Sequence, residues 1–368
     1  MRIVCFGTFS DYTIQLANAL SEKNEDVLFV TLKHALMHEY ETNIIDERVK
    51  LHLLTKKNPL YHPYNLWIFI NLIRSISKFN PEIVHLQIGL GFAELPVFLF
   101  SKFLKRYNIV VTFHDVVLHL GEKSWLQEFL RHFIRKYADQ IIVHGEKLKE
   151  KMIKEYNIPH SKVNAILPGE CCVAPFKKYE REDIKENGNF ILFFGRIWEY
   201  KGLEYLIKAE PIITKEVPEV KIVIAGMGES FTKYEQMIGN RRAKFIVHNY
   251  HIPYREGAEL FQKCSVVVLP YIETSQSGVV LSAYGFKKPV VITDVGSVSE
   301  VVDDGITGLI VPPKNPEALA RAVIKLLKNE DLRKTMGENA YRKLKTDLCW
   351  DEISAKTIQV YRKALQNL

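Results

Sequence analysis

The stretch Phe190-Ile191-Leu192-Phe193-Phe194-Gly195-Arg196-Ile197-Trp198-Glu199-Tyr200-Lys201-Gly202 runs from an unbroken apolar segment, through a loop with two cations, into a helical pattern opening at Leu203. A short apolar run closed by a turn residue marks a strand buried on both faces, as in a parallel sheet. Gly195 permits a sharp turn at the strand's end. Arg196 and Lys201 then fall where a helix N-terminus already favours anions. The arginine offers a planar fork and the lysine a point charge, a combination suited to a diphosphate. Together they would stabilise charge developing on it as a bond breaks. On spacing alone, two solvated surface cations are the competing reading.

Outward from this stretch the same alternation recurs. On the N-terminal side, residues 1–6, 27–31, 83–87, 109–114 and 140–144 read as strands, with helices at 12–22, 65–79, 123–137 and 146–156. On the C-terminal side, strands are expected at 220–225, 245–249, 266–270, 289–293 and 308–311, helices lie between them, and an amphipathic helix covers 350–365. Strands alternating with helices imply parallel sheets covered on both faces. Between Pro168 and Gly188 the pattern lapses into cysteines, prolines and charges, which reads as a linker. The expected architecture is α/β: two tandem Rossmann-like, doubly wound domains, residues 1–172 and 188–349. Ligands of such sheets sit outside the C-terminal strand ends, here in a cleft that the two domains face.

Length agrees with this division, because 368 residues exceed the roughly 250–300 at which one core stops growing. The formal charge of +7 is a mild excess. No zinc-finger, RNP-like or helix-turn-helix pattern accompanies it, so nucleic acid is not an expected partner. An anionic small molecule or an anionic membrane surface explains the excess with fewer assumptions. Cys5, Cys171, Cys172, Cys264 and Cys349 form no CxxC pair and no metal-ligand spacing, and a reduced, cytoplasmic setting is expected. Met1 to Gly7 reads as a first strand rather than a signal peptide. No segment offers the ~20 apolar residues that span a bilayer. The nearest, Leu86 to Leu104, is interrupted by Glu94 and Pro96, and the run Phe98 to Arg106 is apolar and then basic. A buried helix with a solvated end and a helix resting on an anionic membrane both fit that run.

The Gly195-Arg196 and Lys201-Gly202 pairs resemble the G-R-x-x-x-x-K-G segment of family 4 glycosyltransferases, retaining enzymes of the two-Rossmann GT-B fold. The resemblance continues through Ile224-Ala225-Gly226-Met227-Gly228, Val268-Leu269-Pro270-Tyr271, the run Lys288 to Asp294 and the run Gly296 to Leu309. This ordered set covers most of the second domain. It implies that Arg196 and Lys201 bind the diphosphate of a nucleotide sugar, with base and ribose at the turn carrying Gly226 and Gly228 and at the strand end near Ile252. It also implies that the last helix, 350–368, crosses back to the first domain, and that neither metal nor cofactor takes part.

One departure stands out. The family's two glutamates, eight positions apart, fall here on Thr274 and Ser282, and Glu273 lies one residue off register. Residues 273–282 resemble a variant subgroup with Ser-Gln-Ser-Gly-Val. In the common pattern the first glutamate touches the transferred sugar and the second the ribose. The backbone N–H groups of Ser277, Gly278 and Val279 can still serve a sugar or phosphate at a helix N-terminus. Ser282 can reach a ribose hydroxyl, less strongly than a carboxylate. Glu273 is either a replacement carboxylate or a loop charge.

In the first domain, Thr112-Phe113-His114-Asp115 ends a strand at the expected cleft, and the resemblance puts His114 on the donor sugar. Asp115, His119 and Glu122 are acceptor-side candidates in a polar loop. Gly7 would allow close backbone approach of the donor, while Asp11 and Tyr12 either touch the acceptor or belong to a helix cap region. Asp303-Asp304-Gly305 reads as an ordinary turn rather than a metal site. The expected activity is retaining transfer of a hexosyl unit from a nucleotide sugar, such as a UDP-sugar, to a glycan or lipid-linked acceptor in surface polysaccharide assembly. The expected place is the cytoplasm, with a peripheral position on the membrane's inner face as an option. A GT-B scaffold without turnover and a nucleotide-sugar epimerase are the alternatives.

Overall fold

The computed structural model describes residues 1–7, 10–33, 45–55, 63–88, 94–116 and 125–366. The chain divides into two compact units, Met1–Pro168 with Trp350–Leu368, and Gly169–Cys349.

The first unit runs β1 (Arg2–Gly7), α1 (Ser10–Glu22), β2 (Asp26–Leu32), β3 (Lys50–Leu54), α2 (Pro63–Phe79), β4 (Ile83–Ile88) and α3 (Glu94–Leu99). A π-helical turn, Phe100–Leu104, extends α3, and β5 (Asn108–Phe113), α4 (Trp125–Tyr137), β6 (Gln140–Val143), α5 (Glu146–Tyr156) and β7 (Val163–Ala165) follow. The strands pair in parallel in the order β3-β2-β1-β4-β5-β6-β7. One sheet face, with Val4, Leu28, Leu86, Val111 and Ile141, forms a single apolar cluster with α2, α3, α4 and α5. On the other face, α1 and the C-terminal helix Trp350–Gln366 lie against one another, α1 on β1 and β2 and the C-terminal helix on β5 and β6.

Two of these strands are not expected from the sequence. β3 is an edge strand, more than half of it at least partly exposed, so its residues lack an apolar run, and β7 has only three residues.

The second unit runs α6 (Ala174–Lys177), β8 (Phe190–Phe194), α7 (Leu203–Glu216), β9 (Lys221–Ala225), α8 (Thr232–Ile238), β10 (Phe245–His248), α9 (Tyr254–Lys263) and β11 (Val266–Leu269). It continues α10 (Gly278–Gly285), β12 (Val290–Thr293), α11 (Val298–Val301), β13 (Gly308–Val311), α12 (Pro316–Lys328) and α13 (Glu330–Thr346). Its parallel order is β10-β9-β8-β11-β12-β13. Part of the segment read as a linker is built into this unit. The Phe176 ring packs on Phe194, Tyr254 and Phe261, and the Glu186 carboxylate accepts from Lys288 Nζ at 2.9 Å and Arg333 Nε at 2.8 Å. Composition shows the charges but not their partners.

Candidate active site

In each sheet the chain order reverses once, between β1 and β4 and between β8 and β11, and such switch points open a crevice at the C-terminal strand ends. In the second unit that crevice begins at Gly195, whose φ of +114° is glycine's territory. Its N–H donates to Ala225 O at 2.9 Å. Ile197 then bridges to Gly228, its N–H donating to Met227 O at 3.0 Å. The glycines are there for backbone contact. A Cβ on Gly226 would lie 1.8 Å from Gly195 O, one on Gly228 2.2 Å from Ile197 O, and one on Gly202 1.9 Å from Pro270 O.

This packing aims the two cations. Arg196 is exposed, its guanidinium 6.0 Å from the Trp198 ring centroid. Lys201 is half-buried, with Nζ 3.9 Å above the buried ring of Tyr271 and 5.1 Å from that of Tyr200. A cation over an aromatic face is held electrostatically at little loss of charge. Tyr271 is fixed in turn: its Oη pairs with Ser277 Oγ at 3.0 Å, and its carbonyl accepts from Thr293 Oγ1 at 2.6 Å. Burial pushes the Tyr271 hydroxyl up to about 12, against the Ser277 hydrogen bond and the nearby positive charge of Arg196.

Ser277 is also the N-cap residue of α10. The first-turn N–H groups of α10 have no intrahelical acceptor and point outward with the positive end of the helix dipole. A Cβ on Gly195 would be only 3.6 Å from Val279 Cγ2, so the β8 turn and the start of α10 adjoin. Gly195, Arg196, Lys201, Tyr271, Ser277, Gly278 and Val279 thus form one anion-favouring corner.

The remaining second-unit candidates are placed differently. Glu273 is exposed, its N–H 3.4 Å from Tyr200 O. Thr274 is buried and donates to Gln276 O at 2.9 Å. Ser282 is buried, and its hydroxyl faces Cys172 O at 3.0 Å and Gly278 O at 3.2 Å, so its proton is engaged and Oγ is left to accept rather than donate. Ile252 is buried beside Pro253, the N-cap of α9. Next to the Gly226 turn, whose N–H donates to His248 O at 2.9 Å, Met227 and Tyr250 are exposed. Tyr250 donates to Glu256 Oε1 at 2.6 Å. Asp303 and Asp304 are engaged within the protein, Asp303 with Lys343 Nζ at 2.6 Å and Asp304 with Ile310 N–H at 2.8 Å.

In the first unit, alternate residues along β4 and β5 and just past the ends of β5 and β6 raise a polar ladder on the α1 face of the sheet. His144 Nδ1 lies 3.0 Å from Ile166 O, His144 Nε2 lies 3.0 Å from His114 Nδ1, and His114 Nε2 lies 2.8 Å from Gln87 Oε1. Gln87 Nε2 is 3.2 Å from His85 Nε2, which also meets Thr112 Oγ1 at 2.8 Å, and His85 Nδ1 meets Tyr361 Oη at 2.7 Å. Burial holds all three rings well below the usual histidine value, His144 at about 4 and His85 at about 3.

A carbonyl only accepts, so His144 Nδ1 carries a proton and His144 Nε2 accepts from His114 Nδ1. With Gln87 oxygen toward His114, the second nitrogen of His114 must carry a proton too. With His114 neutral, the Gln87 amide turns over to donate to it, and His85 donates from Nε2 and accepts from Tyr361. The ladder therefore has two self-consistent states that differ by one proton on His114, one amide rotation and the tautomer of His85.

Gly7 belongs to this ladder, since a Cβ there would meet Gln87 Cβ at 2.6 Å. The buried Tyr12 ring sits edge-on to His114, His144 and Trp350, with centroids 5.0, 5.3 and 5.2 Å away. Asp115 is half-buried, its carbonyl accepts from Arg131, and its negative charge reaches both His114 and His144. Asp11 lies in the first turn of α1. His119 and Glu122 lie outside the described residues.

Residues 176–343 match the family described as glycosyl transferases group 1, and residues 10–169 match glycosyltransferase family 4. The chain belongs to the family 4 glycosyltransferases. It is 24% identical to the capsular polysaccharide biosynthesis glycosyltransferase CapM of Staphylococcus aureus, over 91% of this chain and 90% of that protein. It is 29% identical to an α-D-kanosaminyltransferase of Streptomyces kanamyceticus over 57% of this chain and 56% of that one. A further glycosyltransferase, from Methanocaldococcus jannaschii, is 29% identical over 62% of this chain and 60% of its own length. The matched regions thus span little more than half of those last two relatives.

Among solved structures, sucrose-phosphate synthase from Thermosynechococcus elongatus superposes with a TM-score of 0.75 at 18% identity, covering 100% of both chains. Anabaena Alr3699/HepE in complex with UDP gives 0.73 at 15% identity, again over 100% of both. These likenesses concern the GT-B fold.

For this glycosyltransferase, sequence reading missed Tyr271, Gln87, His85 and His144. Their signals were present: a tyrosine following a buried strand, and polar residues at period two within otherwise apolar strands. The glycine packing also makes a prediction. Gly226→Ala is expected to destabilise the second unit by about 3 kcal/mol or more, because backbone must move. Gly239→Ala, at φ +52° and ψ −131° but with nothing within 4 Å of its Cβ, should lose only the backbone strain of that conformation, about 1–3 kcal/mol. Urea unfolding of the two variants compares them directly.

Proposed function

We propose that this glycosyltransferase is a retaining enzyme that moves a sugar from a nucleotide-diphosphate sugar to a hydroxyl of a glycan or lipid-linked acceptor, in assembly of a cell-surface polysaccharide or glycoconjugate. The observation that carries this reading is the corner where Arg196 and the Tyr271-seated Lys201 meet the N-terminus of α10 at the β8/β11 switch point. The HepE complex with UDP supports a nucleotide donor, and the capsular-polysaccharide relative supports the setting.

In this reading the bond from sugar C1 to the diphosphate oxygen breaks, and the acceptor oxygen bonds to C1 on the same face. The acceptor's proton passes to the departing phosphate. Arg196, Lys201 and the α10 N–H groups hold the charge gathering on the diphosphate, which is where fixed donors and cations lower a barrier. Base and ribose are assigned to the turn carrying Gly226 and Gly228, with Ile252 and the exposed Met227 and Tyr250 alongside. Glu273, Thr274 and Ser282 are assigned to the sugar and ribose side. His114 is assigned to a sugar hydroxyl, and Asp11, Tyr12 and Asp115 to the acceptor. Two fixed cations fill the place of a metal, so transfer is expected to persist in EDTA.

The test is a thermal-shift screen with nucleoside diphosphates and their sugars, followed by a transfer assay with those that bind. A selective ligand raises the melting temperature by mass action. A screen in which no nucleoside diphosphate or nucleotide sugar shifts the transition sinks the donor assignment. Thr274 and Ser282, where the family has carboxylates, motivate a second reading as a scaffold that binds without turnover. A product formed with no acceptor present would instead mark an epimerase.

A further inference from the structure

Helix α4 buries two arginines beside its core residue Ile134. Its two interior arginines point inward: Arg135 is 0% exposed, donating to Glu128 Oε1 at 2.7 Å and Val116 O at 3.0 Å, with its guanidinium 3.7 Å from the Tyr156 ring centroid. Arg131 is buried as well, donating to Asp115 O and Val116 O. Its outer side carries Trp125, 82% exposed, and Phe129, 61% exposed, followed by the exposed His132 and Lys136. These four occupy i, i+4, i+7 and i+11, one stripe about 16 Å long at 1.5 Å per residue. A large apolar side chain left in water while arginines are buried is the informative exception to ordinary burial.

The stripe continues onto the next element. Phe103, 48% exposed on the π-turn, lies 5.5 Å from the Tyr137 ring and 6.1 Å from that of Phe133, and Leu104 beside it is 77% exposed. Helix α2, in the same helical layer, adds exposed Leu66, Trp67 and Ile70. Nine of the sixteen exposed large hydrophobic side chains among the described residues lie on α2, on α3 with its π-turn, and on α4.

Charge says what would cover this layer. Residues 63–79, 94–107 and 125–137 hold eight lysines and arginines against two carboxylates, a surplus of six in a chain whose whole excess is seven. Of the carboxylates, Glu94 is buried and Glu128 is bound to Arg135. Asp139 at the end of α4 is paired with Lys102 at 2.5 Å. Arg74, Lys78, Lys105, Arg106 and Lys136 are exposed.

We propose that the Trp125–Phe129 stripe and the Phe103–Leu104 tip, with Lys105, Arg106 and Lys136, form a docking surface for an anionic lipid bilayer. Aromatic and leucine side chains enter the boundary between headgroups and acyl chains while the cations meet lipid phosphates. The proposal does not depend on which sugar is transferred or whether transfer occurs, since no residue of the nucleotide corner takes part.

The experiment is cosedimentation of the full chain with vesicles of phosphatidylcholine alone and of phosphatidylcholine with phosphatidylglycerol, at low and high salt. The chain is expected to pellet with the anionic vesicles, less at high salt, and little with the neutral ones. W125A/F129A and K105E/R106E should each lower partitioning at least about tenfold at unchanged melting temperature. Wild-type chain left in the supernatant, or either double variant pelleting as wild type does, overturns the proposal. So does a vesicle-free dimer that W125A/F129A converts to monomer, which would make the stripe a self-association surface. A nucleotide-induced thermal shift needs no vesicles, so donor binding and membrane docking fail separately.

Discussion

Arg196→Ala is expected to lower kcat for glycosyl transfer by about 10²–10³, the range for removing one fixed donor from developing charge. Melting temperature should hardly change, because Arg196 is exposed and touches mainly the Trp198 ring. Lys201→Ala should lose a comparable factor with a larger stability effect, since its side chain covers the buried ring of Tyr271. The kinetic split matters as much as the size. Charge on the leaving phosphate grows toward the transition state, so kcat should fall more than donor affinity. Arg196→Lys keeps the charge and loses the fork, and should fall between wild type and alanine. Transfer by both alanine variants within about twofold of wild type would remove the phosphate assignment from this corner and leave the two residues as solvated surface cations.

How much of this was legible in the sequence depends on the kind of interaction. The strands β8, β9, β11 and β12 are apolar runs broken only at their ends by Lys221 and Thr293, and a parallel sheet follows from such runs almost unaided. The pairing of Arg196 and Lys201 was readable because both lie in one strand-to-helix turn. The seat that holds Lys201 was not, because Tyr271 lies just past β11, seventy residues away in sequence and adjacent only once the order reverses. The glycines illustrate a subtler loss. Gly226 and Gly228 suggest room for a ligand, yet in the fold a neighbouring carbonyl already occupies that room. Helix α4 shows the limit of periodicity. Its apolar stripe is evident, but its rotation about its axis is set by Asp115 O and Val116 O, which hold Arg131 and Arg135 and which no helical pattern encodes.

The polar ladder should make the first unit sensitive to mild acid, over a window set by histidine rather than by carboxylates. His85 and His144 titrate near 6.5 when unfolded but are held at about 3 and about 4 in the fold, and His114 is also held low, with burial as the main cause for each. Below pH 6.5 the unfolded chain therefore binds protons that the folded chain refuses. Stability is fully present above that value and falls as pH drops toward the folded values. His85 and His144 each contribute on the order of 2 kcal/mol between pH 7 and 5, and His114 acts in the same direction.

The lowered carboxylate of Asp46, held at about 2 by Arg48, acts only below about pH 4 and does not overlap this window. Urea unfolding of the first unit at pH 7, 6 and 5 measures the slope. His144→Asn retains a donor for Ile166 O and removes one titrating ring, so it should cut the slope by about a third while lowering stability at pH 7. A first unit equally stable at pH 7 and 5 would mean that the ladder readily takes up protons. His114 would then be the cation that donates from Nδ1 to His144 and from Nε2 to Gln87.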